Sequence, residues 1–105
     1  MQYERRKAQR VKVNLPALWE GAIGRNEATV TSLSYSGCFL LSGGKVEPKE
    51  LLRVEIYLPD EEPIYAWAEV VDHAYEIGFA VQFTLIEQDQ ARLAAFILRN
   101  AADNE

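Results

Sequence analysis

A chain of 105 residues with 49% hydrophobic and 26% charged side chains is one domain's worth of globular sequence, which excludes a second full domain, a disordered tract and a fibrous repeat. The single cysteine, Cys38, excludes an internal disulfide and a multi-cysteine zinc site, and no apolar run is long enough for a membrane-spanning helix. The net charge of −5 is uneven: residues 1–12 hold five basic side chains against Glu4, a balance of +4, while the rest of the chain stands at −9. A basic stretch on an acidic body is poorly suited to coating a nucleic-acid polymer, whose phosphates the body would repel. It suits a compact anion gripped locally.

In chain order, residues 1–10, MQYERRKAQR, have no apolar signal core and read as a basic N-terminal arm, able to move when empty, on a cytoplasmic protein. From Val11 the alternation is strict. Val11, Val13, Leu15, Ala17 and Trp19 share one face of a half-buried strand, with Pro16 marking a sheet edge or a bulge. GAIGRN at 21–26 is a hairpin connection; EATVTSL at 27–33 is a second strand and GCFLLS at 37–42 a third. After the loop GGKVEPK, Leu52, Val54, Ile56 and Leu58 alternate on a fourth strand ended by PDEEP. Residues 64–72 form a fifth, with Trp67 and Val71 on one face, and Tyr75, Ile77, Phe79, Val81 and Phe83 alternate on a sixth. These spacings are those of an antiparallel barrel or sandwich. At alternating strand positions Trp19, Trp67 and Tyr75 are expected in the core, whereas Asp60, Glu61 and Glu62 are expected to be solvated charge. Over residues 87–101 the period changes, with Leu93, Ala94, Phe96 and Ile97 recurring at helical spacing, and the remaining ADNE is expected to fray. A C-terminal helix there would cover one opening or edge of the sheet.

Two stretches carry recognisable chemistry. Arg6 and Arg10 are four apart, which sets both on one face, and a guanidinium fork can grip a phosphate or the O6/N7 edge of guanine through paired hydrogen bonds. SLSYSG at 32–37 supplies hydroxyls that accept and donate; Ser32 and Ser34 are expected on one face as co-contacts, and Gly37 to permit an unusual backbone conformation or a close ligand approach. For an enzyme there is little to work with. Cys38 lies in an apolar strand, His73 is expected at the surface, and no nucleophile and base are marked as partners. The only histidine and the absence of acidic clusters at ligand spacing leave no metal site in prospect.

RKAQR at 6–10 followed by a strand, and SLSYSG at 32–37 followed by CFL, resemble the paired signatures of PilZ domains, Arg-x-x-x-Arg and then Asp/Asn-x-Ser-x-x-Gly. The closing residues 69–97 are also similar to the family's last strands and helix. The resemblance implies a single domain over residues 1–105, a six-stranded antiparallel β-barrel with a C-terminal helix. It further implies a receptor for the bacterial second messenger cyclic di-GMP (c-di-GMP), with no catalysis and no other cofactor, that signals to a protein partner. Carried over, Arg6 and Arg10 clamp phosphates and guanine edges, Ser34 and Gly37 line the opposite wall, and Arg5 and Lys7 remain solvated charge. Ser32 stands where the family has Asp or Asn and lacks the group that pairs with a guanine edge. The alternative implied is therefore a PilZ-like protein-interaction module that has lost the nucleotide.

Overall fold

The computed structural model describes residues 10–74 and 77–103, so that Arg5, Arg6, Lys7, Tyr75 and the side chain of His73 lie outside it. Six strands close into a barrel: β1 (Val11–Glu20), β2 (Arg25–Leu33), β3 (Gly37–Leu41), β4 (Leu51–Ile56), β5 (Ile64–Ala74) and β6 (Gly78–Ile86), every neighbouring pair antiparallel, in the circular order β1-β2-β3-β6-β5-β4. Closure decides between the barrel and the sandwich that the spacings left open, and it leaves no strand edge exposed for foreign pairing.

The interior is filled by the alternating positions. Val11, Leu15, Ala17 and Trp19 of β1 join Leu52, Val54 and Ile56 of β4, Ile64, Ala68 and Val70 of β5, and Phe79 and Val81 of β6 in one core. Trp19 packs edge-on against Phe79, ring centroids 5.2 Å apart, and its indole N–H donates to Ser42 Oγ at 2.9 Å, so its burial leaves no polar atom unpartnered. Trp67 departs from expectation. It sits on the outer face of β5, where the Arg53 guanidinium lies 5.9 Å from the centre of its ring and 5.6 Å from that of Tyr65. Ala66 and Ala68, on either side of it, take the inward positions because a narrow barrel filled by Phe79, Trp19 and β-branched side chains has room there only for methyl groups.

Two irregularities shape β1 and β2. Val30 and Leu33 are both fully buried although three residues apart, because the register shifts between Val30 and Ser32, leaving Thr31 over as a bulge. The β1–β2 register shifts between Lys12 and Leu15, just before Pro16, while the β1–β4 ladder begins only at Ala17. The expectation of a bulge near Pro16 thus holds, and that of a sheet edge does not. Pro16 contributes its carbonyl, which accepts from Tyr57 N–H at 3.0 Å.

Helix α1 (Gln90–Asp103) starts three residues later than its composition suggests, because Glu87 N–H still donates to Tyr65 O at 3.2 Å and Asp89 takes the position before the first turn, its carbonyl accepting from Leu93 N–H at 2.9 Å. Leu93, Phe96, Ile97 and Ala101 add their side chains to the barrel core, and the helix packs beside β1. Asp60, Glu61 and Glu62 are exposed, as expected of solvated charge, but the turn at 59–62 is also tied to the helix. Glu61 pairs with Arg92 at 3.3 Å and with Arg99 at 3.3 Å, and Arg92 also donates to Glu62 O at 2.7 Å and Pro63 O at 3.0 Å. Asp60, following a proline, takes the left-handed conformation (φ 59°) that closes this turn. Replacing Arg92 with alanine, which removes two carbonyl contacts and the pairs to Glu61 and Asp89 at once, is expected to lower stability by about 1–2 kcal/mol, read from urea unfolding.

Candidate functional site

The β2 bulge turns Ser32 to the outside of the barrel. There the register sets it opposite Lys12 of β1 on one side and Phe39 of β3 on the other. Arg10, immediately before β1, donates from Nη1 to Ser32 Oγ at 3.3 Å. The arginine and the serine-rich stretch, 22 residues apart in the chain, are therefore brought together. Arg10 is exposed, and its charge has no carboxylate partner among the described residues. The other four described arginines each have one: Arg25 pairs with Glu55, Arg53 with Glu87, and Arg92 and Arg99 with Glu61. On a protein with sixteen carboxylates, a guanidinium left to a neutral hydroxyl is one available to an anion.

Ser34 lies elsewhere than expected. It is fully buried, and its hydroxyl is used within the turn: Oγ accepts from the N–H of Ser36 (3.2 Å) and of Gly37 (3.2 Å) and donates to Gly37 O (3.3 Å). Ser34 N–H donates to the same carbonyl at 2.9 Å. Strand β2 ends at Leu33, so the two serines share no face; Ser32 is presented outward and Ser34 staples the turn behind it. Ser34→Ala leaves two amides short of an acceptor and is expected to lower stability by about 1–2 kcal/mol, measured by urea unfolding.

Gly37 does not serve an unusual backbone conformation; what demands a glycine there is a close approach of strands. No glycine among the described residues has a positive φ, and a Cβ on Gly37 would collide with the Val81 carbonyl oxygen of β6, against which β3 pairs. Its neighbour Ser36 holds the same strand through its carbonyl, which accepts from Phe83 N–H at 2.7 Å. SLSYSG is thus a turn pinned to β6, with Ser32 at its entrance and the Tyr35 and Ser36 side chains exposed at its tip.

Cys38, next in the chain, faces the core. Burial pushes its thiol up to about 12 from an ordinary 9.0, with the positive charge of Arg10 pulling weakly the other way. The folded protein is expected to resist alkylation at neutral pH until it unfolds. Because the unfolded thiol ionises first, this contribution to stability is intact below pH 9.0 and is lost as the pH rises towards 12, a loss that Cys38→Ala would lack in unfolding experiments on either side of pH 9.0. Among the described residues no cluster of His, Cys, Asp and Glu is arranged to hold a metal ion. No helix among the described residues is long and apolar enough to cross a membrane.

The PilZ domain family model matches residues 4–99 of the chain. No curated protein matches the sequence. Among solved structures, the chain is similar to MotI/DgrA, an inhibitor of motility from Bacillus subtilis, at 21% identity and a TM-score of 0.80, over 96% of this chain and 53% of that one. It therefore spans about half the length of that protein. It is also similar to the PilZ domain of CeSA from a cellulose-synthesizing bacterium (15% identity, TM-score 0.67, 88% of this chain and 97% of that one). The third is the PilZ domain of YcgR from Escherichia coli with c-di-GMP (11% identity, TM-score 0.77, 94% and 93%). At these identities the likeness is one of fold.

Proposed function

Because the chain belongs to the PilZ domain family, whose model covers nearly all of it, we propose that it is a cyclic di-GMP receptor and that the nucleotide sits where Arg10 meets Ser32. The observation that carries this reading is the Arg10 guanidinium, the one described arginine without a carboxylate, bonded to the first residue of the serine-rich motif. In the bound state Arg10 and Arg6 grip the phosphates and the guanine edges, Ser32 contributes a hydroxyl beside them, and Ser34 and Gly37 act by holding the turn in place. No bond of the ligand is broken. Binding draws the basic arm onto the barrel because the arm's contacts to the nucleotide exist only in the closed arrangement, and a protein partner in the cytoplasm reads the changed surface.

The short side chain of Ser32 supports a second reading, an interaction module without nucleotide. A neutral hydroxyl in place of a carboxylate or amide forgoes a charge-assisted hydrogen bond, about ten- to a hundredfold in affinity, and we place the binding in the micromolar range for that reason. Calorimetric titration of cyclic di-GMP into the purified protein separates the two: saturable heat with a rise in melting temperature is expected, and neither at a large excess of ligand would leave the interaction module.

A further inference from the structure

Lys12 is a second cation at Ser32. The β1–β2 register sets it directly opposite, which puts both side chains on the outward face with Cβ atoms roughly 5 Å apart. Arg10 reaches the same hydroxyl from two residues upstream. Lys12 and Arg10 are both exposed, and among the described residues neither pairs with a carboxylate, on a chain that beyond residue 12 carries a balance of −9. Two like charges on either side of one neutral side chain repel each other, and neither is offset by a carboxylate among the described residues. A carboxylate at position 32 would stand beside both and compete with an anion for them. With serine there, both remain available to an anion, and the half-buried ring of Phe39 on the far side of Ser32 offers an apolar floor for a base.

Resting on the receptor reading above, we propose that Lys12 is a phosphate-contacting residue of the nucleotide site, so that this protein holds its ligand more by charge than by pairing with the guanine edge. The test is calorimetric titration of cyclic di-GMP into the wild-type protein, Lys12→Gln and Lys12→Arg, each at low and moderate salt. Lys12→Gln is expected to weaken binding about five- to tenfold and to make it less sensitive to salt, as the loss of one screened ionic contact should. Lys12→Arg is expected to stay within about twofold of wild type, and all three proteins to melt together, since the side chain is exposed. Lys12→Gln binding as tightly as wild type with the same salt dependence would overturn the role of Lys12 and leave the receptor reading standing. Absence of binding by the wild-type protein would overturn the receptor reading, and this inference with it.

Discussion

Arg10→Ala is expected to weaken cyclic di-GMP binding by about a hundredfold while leaving the melting temperature nearly unchanged. The binding loss follows from removing a bidentate, charge-assisted contact to phosphate. The unchanged stability follows from what Arg10 does in the empty protein. It is exposed and among the described residues its side chain makes one bond, 3.3 Å long, to a half-exposed hydroxyl, a contact that water replaces on either partner. Arg10→Lys separates charge from geometry: it keeps the positive charge but loses the fork, and an intermediate loss of about tenfold is expected. Calorimetry paired with thermal melts reads both. An Arg10→Ala protein that binds like wild type would show that the ligand, if any, is held elsewhere.

Gly37→Ala should act through the fold. The added methyl meets the Val81 carbonyl oxygen, and behind it the Val81 carbon at 3.1 Å and Gln82 Cα at 3.2 Å. All three are backbone atoms of a paired strand, so no side chain can swing aside. Either β3 parts from β6 locally or the turn that Ser34 staples is displaced, and a loss of about 2–3 kcal/mol in urea unfolding is expected. Nucleotide binding should fall as well, because Ser32 hangs from the same turn. Gly43→Ala provides the control, since nothing lies within 4 Å of a Cβ there and its φ is not positive; it should be neutral or slightly stabilising. Equal effects at the two glycines would mean that the close approach of β3 to β6 is not what Gly37 serves.

Much of the barrel was legible because a period of two is robust where side chains alternate between core and water, as along Val11 to Trp19 and Leu52 to Ile56. What alternation does not reveal is how much room lies inside. Trp67 and Ala68 occupy adjacent, opposite positions, and hydrophobicity favours burying the tryptophan, but only the narrow interior gives that place to alanine. Ser34 departs from expectation for the converse reason: its polarity suggests an exposed contact, whereas two amides of its own turn satisfy the hydroxyl and remove the penalty for burial. Ile77, read as a strand residue alternating with Phe79, is exposed in the turn before β6. For the site, motif spacing identified the residues to inspect. Whether Arg10 meets Ser32, and that Lys12 lies opposite it, depends on a β1–β2 register set by bulges on both strands, which no local pattern specifies. Arg6 lies outside the described residues, so its part in the clamp stays with the family motif.

The most direct test is a heteronuclear NMR titration of the isotopically labelled protein with cyclic di-GMP. The account predicts saturable shifts at Arg10 and Lys12, along Ser32 to Gly37 and at Phe39, with the outer face around Trp67 and Arg53 left in place. Shifts confined to that outer face, or none anywhere at saturating ligand, would contradict it.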